Sequence, residues 1–206
     1  MGFVLNTTYY TGNVYEWNLP SGYTCPFAKE CKVYVDRISG KFLIPKGKFK
    51  CYAAYAERYP AVRKSRWENL KLIKSGGKPQ LPTDCENVRI HASGDFFTPE
   101  YLNLWIEIAK ENPKINFWGF TKSIKYWLIV RDQIPSNLIL TASYGGLDDE
   151  LIEKNKLKHA KVYLKLSEVR EGMPININDD YARKPEVCFA LLDNKKYSYD
   201  DMMSKN

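Results

Sequence analysis

Histidine is nearly missing from this chain. His91 and His159 are the only two in 206 residues, too few for a multi-histidine zinc centre. The five cysteines are an odd number, so they cannot all pair internally as disulfides, and no two stand as CxxC. No apolar run is long enough to span a bilayer, and Met1–Leu5 leads into polar residues rather than a signal-peptide core. Internal repeats and low-complexity linkers are also missing. A content of 44% hydrophobic and 27% charged residues argues against disorder, collagen and coiled coil. The expectation is one soluble cytoplasmic domain over residues 1–206, with no membrane partner, large enough to bury a core.

Charge is present but uneven. Residues 1–89 hold 15 Lys+Arg against 7 Asp+Glu, whereas residues 90–206 hold 16 against 17. The excess of the +7 total therefore lies in the first half, mostly in a basic helical segment over 41–78. Concentrated positive charge points to a polyanion, with Arg63, Lys64 and Arg66 as the expected nucleic-acid contacts. A solvated lysine face is the alternative.

Alternation marks Val14–Asn18 as a strand, which runs into the turn Leu19-Pro20-Ser21-Gly22. Helix follows Cys51, and Pro60 opens a second helix that runs through Lys74 and stops at Ser75-Gly76-Gly77. Over 87–192 strand and helix alternate in regular β/α units. Strands are expected at Val88–Ala92, Ile115–Phe120, Leu138–Ala142, Lys161–Leu166 and Val187–Leu192. The helices between them start at Thr98-Pro99, at Ser123 and near Leu147. Ser167–Glu186 shows no convincing helix. The fold class is α/β with a parallel sheet, an open partial (β/α)6 barrel-like arrangement or a doubly wound one, preceded by a cysteine-containing loop over 19–51.

Parallel α/β folds put their chemistry at the carboxyl ends of strands. Here those ends read Ser93-Gly94-Asp95, Thr121-Lys122 and Thr141-Ala142-Ser143, small or polar groups that would share one rim. Ordinary turn and cap formation is the competing reading for each one taken singly. His91 is expected to be a core histidine, and Asp179 and Asp180 solvated loop acids. Cys25, Cys31 and Cys51 fall on the same rim. Cys85 precedes the second strand, and at roughly 3.3 Å per residue lies about 20 Å away. Thiolates suit zinc or an iron–sulfur cluster, and three of them on a [4Fe–4S] cluster leave one iron open.

Several blocks resemble the phage gene product 88 family, which brings little mechanism with it. They are Leu19–Ala28, Arg63–Asn69, Arg89–Phe97, Thr121–Trp127, Leu140–Ser143 and Cys188–Leu192. More distantly, the order of strand, cysteine loop with Cys51-Tyr52-Ala53, and strand ending in Gly94-Asp95 resembles the radical S-adenosylmethionine barrels. That resemblance implies Cys25, Cys31 and Cys51 as ligands of a [4Fe–4S] cluster, and Asp95 as acceptor for the methionine ammonium. Ser93, Gly94 and Ser143 would join Asp95 in holding S-adenosylmethionine, with Asp95 and Lys122 as catalytic residues. Asp95→Asn would then weaken ligand binding without disturbing the fold.

The leading expectation is an iron–sulfur enzyme acting on nucleic acid or a nucleotide-derived substrate in the host cytoplasm. Two alternatives stand beside it. One is a zinc-stabilised, transglycosylase-like base-modifying barrel with Asp95 as nucleophile. The other is a non-enzymatic nucleic-acid-binding protein with a structural cysteine–metal site.

Overall fold

The computed structural model describes residues 2–45 and 51–192. Nine strands and five α-helices follow one another among them. Seven strands form one sheet: β1 (Val4–Asn6), β2 (Val14–Trp17), β5 (Asn87–Ile90), β6 (Asn116–Thr121), β7 (Leu138–Ser143), β8 (His159–Tyr163) and β9 (Phe189–Leu192). Their spatial order is their sequence order; β1 pairs antiparallel with β2, and every later pair is parallel. The chain is thus a mixed α/β protein with a mostly parallel sheet. No helix among the described residues is long and apolar enough to cross a membrane.

Helix α3 (Pro99–Glu111) shows why local sequence suffices in this half. Thr98 caps it, accepting from the Tyr101 N–H at 3.2 Å, and Pro99 occupies the first turn, where no backbone donor is missed. It buries Leu102, Trp105, Ile106 and Ala109 against Val88, Ile90 and Phe117 of the sheet. Helices α4 (Ile124–Val130) and α5 (Glu150–Lys154) add Ile124, Trp127 and Ile152 to that core.

The other sheet face is covered differently. Val14, Trp118, Ala160 and Phe189 pack with Tyr10 and Ala182, which come from irregular segments. Arg89 lies on this face and forms a buried ion pair with Asp179, which also accepts from Trp118 Nε1 at 3.2 Å. Asp179 is therefore not the solvated loop acid expected.

Three boundaries need correction. The described residues of 19–51 do not form one cysteine loop: they fold into turns and the hairpin β3 (Val33–Val35)–β4 (Phe42–Pro45). The segment 41–78 is not helical throughout, because it opens on β4 and holds α1 (Tyr52–Ala56) and α2 (Pro60–Lys74). Its residues 46–50, with Lys46, Lys48 and Lys50, lie outside the described residues. The strand expected at Lys161–Leu166 starts earlier, at His159, because His159 pairs with Ala142 on β7.

Candidate functional site at the carboxyl rim

The turn after β5 is fixed from several directions. Ser93 N–H donates to Asn18 Oδ1 at 2.9 Å, and Ser93 Oγ donates to the Leu19 carbonyl at 2.9 Å. Gly94 has φ +92°, and a Cβ there would stand 2.7 Å from both Leu19 Cβ and Thr24 Oγ1. Only glycine lets the Ser-Gly-Asp turn press this closely on the 19–24 segment.

Asp95 is buried, and both its oxygens accept. Oδ1 takes the Thr121 hydroxyl at 2.6 Å and its own turn's Phe96 N–H at 2.7 Å; Oδ2 takes the Lys122 N–H at 2.8 Å. The carboxylate thus clamps the end of β5 to the end of β6. Burial pushes its pKa up to about 6, against the pull of these three donors. Half-buried Lys122 extends its ammonium to Ser143 Oγ at 2.6 Å, tying β6 to β7. Ser93, Gly94, Asp95, Lys122 and Ser143 therefore lie along one rim, as hydrogen-bonded supports of its turns.

The cysteines divide. Burial raises the Cys25 thiol, and Asp95, Cys51 and Cys31 add to the effect through their charge. Burial also raises Cys51, with Cys31 again a contributor, so the three thiols share one electrostatic neighbourhood beside Asp95. Cys85 is elsewhere: it faces the Asn87 carbonyl, and its charged neighbours are Asp84 and Glu86. Cys188 stands 3.5 Å from His159 Nδ1. All five are free thiols, and among the described residues no three His, Cys, Asp or Glu side chains are grouped so as to hold a metal ion.

Two expected nucleic-acid contacts point inward. Arg63 is buried and donates to the carbonyls of Arg37, Ile38, Glu57 and Arg58 at 2.6–3.2 Å. Arg66 is buried, donating to the Ala53 carbonyl at 2.7 Å and to Glu57 Oε1 at 2.9 Å. Neither guanidinium can meet a phosphate, because desolvated donors already hold backbone and carboxylate oxygens. Only Lys64 of the three is on the surface, its side chain 77% exposed and 3.9 Å from Glu68. Arg63→Gln is expected to cost about 1–3 kcal/mol by stranding buried carbonyls. Lys64→Gln should cost less than about 0.5 kcal/mol. Urea denaturation of the two variants checks this, and equal losses would contradict the inward role of Arg63.

Sequence reasoning missed Glu57, the hub of the rim's support. It is fully buried and accepts from Ser21 N–H at 2.6 Å, in reach of Ser93 Oγ at 3.5 Å. His91 is the core histidine expected: its Nε2 meets Tyr101 Oη at 2.9 Å, and burial pushes its pKa down to about 3.

The sequence profile described as Gene product 88 matches residues 4–198. A Gene 88 protein of Mycobacterium phage L5 is 36% identical over 124 residues, covering 50% of this chain and 49% of its own. The Gene 88 protein of Mycobacterium phage D29 is 25% identical over 129 residues, covering 54% and 52%. The chain thus matches about half the length of these curated relatives. No solved structure matches it. With the profile spanning nearly its whole length, the chain belongs to the gene product 88 family.

Proposed function

We propose that this chain is a radical S-adenosylmethionine-like iron–sulfur protein, acting on nucleic acid or a nucleotide-derived substrate at the carboxyl rim of a partial (β/α)6 barrel. The observation that carries the reading is that Cys31, Cys51 and Asp95 act electrostatically on Cys25, and Cys31 on Cys51, whereas Cys85 answers to Asp84 and Glu86.

The donor type is that of a cluster, but its side chains would have to draw together, since among the described residues no three are grouped so as to hold a metal ion. Three thiols are soft ligands, and burial of Cys25 and Cys51 penalises a bare thiolate, so these side chains favour either the neutral thiol or the metal-bound form. When bound, a [4Fe–4S] cluster supplies electrons and, with three protein ligands, one iron open to S-adenosylmethionine. Asp95 and Lys122 hold the turns in register, buried Ser93 anchors the turn from beneath, and half-buried Gly94 and Ser143 lie where such a ligand would rest.

Substitution tests the ligand set. After anaerobic reconstitution with ferrous iron and sulfide, Cys25→Ala, Cys31→Ala and Cys51→Ala should each lose most bound iron. Cys85→Ala and Cys188→Ala should retain it. Equal retention by all five, or loss confined to Cys85→Ala, would contradict the assignment.

A further inference from the structure

The surface beside the cysteines carries a run of aromatic rings with a cation at each end. Lys32 Nζ lies 5.9 Å over the Tyr34 ring; Tyr34 meets Tyr23 edge to face at 5.0 Å and 81°; Tyr23 meets Trp67 at 4.9 Å and 62°; the Arg37 guanidinium lies 5.0 Å over Trp67. Two structural elements build it: the β3–β4 hairpin supplies Tyr34 and Arg37, and α2 supplies Trp67. Tyr23 joins them because Gly22, with φ +74°, lets the preceding turn press against Val33, where a Cβ would stand 2.2 Å from the carbonyl oxygen. Tyr23 is two residues from Cys25, so the ladder borders the candidate cluster site.

Packing alone does not account for its exposure. Tyr23, at the centre, is 41% exposed, Arg37 is exposed, and Lys32, Tyr34 and Trp67 are half-buried. Two acids adjoin the ladder in sequence: Asp36 is turned onto its own loop, accepting from the Ile38 and Ser39 N–H groups, and Glu68 lies 3.9 Å from the Lys64 ammonium. An exposed ring between cations is what a single strand requires: a base lies on Tyr23, and lysine and arginine meet the flanking phosphates. A duplex keeps its bases stacked inside and offers no such faces.

We infer that the Lys32–Tyr34–Tyr23–Trp67–Arg37 ladder is a binding platform for single-stranded nucleic acid. It deepens the substrate half of the proposed function by naming the strandedness and the residues that read it. Its chemistry does not involve the thiols, so the test runs on metal-free full-length chain, and its outcome is independent of the cluster.

Fluorescence anisotropy with labelled oligothymidylate and oligouridylate of about fifteen nucleotides is the measurement. Wild type should bind single strands more tightly than a duplex of equal length. Tyr23→Ala should weaken binding at least about fivefold, the low end for one lost stacked base, while Tyr23→Phe keeps the ring and the affinity. Lys32→Gln with Arg37→Gln should lower the salt slope by about 1.4, at roughly 0.7 per phosphate on single strands. Melting curves confirm that each variant is folded. Absence of binding, equal affinity for duplex, an unchanged Tyr23→Ala, or an equal loss in a distant control with Lys110→Gln and Lys154→Gln would overturn the inference.

Discussion

Replacing Arg66 by methionine is expected to cost about 3–5 kcal/mol, because it leaves the fully buried Glu57 carboxylate without its cation. Arg66 and Glu57 are 2.9 Å apart, with the arginine side chain only 8% exposed. Glu57 also accepts from Ser21 N–H, so an uncompensated charge there disturbs the 19–25 segment that leads to Cys25. The double variant Glu57→Gln with Arg66→Met removes both charges and should recover most of the loss. Urea denaturation of Arg66→Met, Glu57→Gln and the double variant gives the coupling. An Arg66→Met variant that loses less than about 1 kcal/mol, or a double variant just as unstable, would contradict this account.

The second large effect is a pH dependence. Asp95 has its folded pKa raised from 3.8 to about 6, so between those values the folded chain holds a proton that the unfolded chain has lost. Its contribution to stability is fully present below about pH 4 and is lost as pH rises through about 6. At 1.36 kcal/mol per unit the loss is about 3 kcal/mol, a sum that Asp95→Asn cannot show because asparagine does not titrate. His91, shifted down to about 3, is linked in the opposite sense over an overlapping range, but it is present in both proteins and cancels in the difference. Relative to wild type, Asp95→Asn should therefore gain about 3 kcal/mol between pH 4 and pH 7. At acid pH the variant should be the weaker protein, since its amide sets a donor against the Lys122 N–H. This replaces the expectation of a substitution neutral to the fold. A stability difference constant with pH would contradict it.

The second half of the fold was legible from local signals, and the cause is visible in α3 and β6. Thr98-Pro99 marks a helix start by the chemistry of its first turn, and Asn116–Thr121 reads as a strand because both its faces are covered. Helix α2 hides its burial. Arg63, Arg66, Asn69 and Leu70 are its buried residues, a helical stripe made largely of polar side chains that a hydrophobicity pattern assigns to solvent. Val33 and Val35 do alternate with Tyr34, but three residues are too few to separate a strand from a turn. At the site, Ser93-Gly94-Asp95 stood out as a strand end. Its partners Thr121 and Lys122 became its partners only through the β5–β6 register, in which Ile90 faces Gly119. Glu57 carried no local mark at all, since its role depends on a turn 36 residues away.

Metal and sulfide analysis of anaerobically purified protein tests the central claim most directly. The account predicts iron and acid-labile sulfide, approaching about four of each per chain, held by Cys25, Cys31 and Cys51. One zinc per chain without sulfide, or a metal-free protein that takes up no iron on reconstitution, would contradict it.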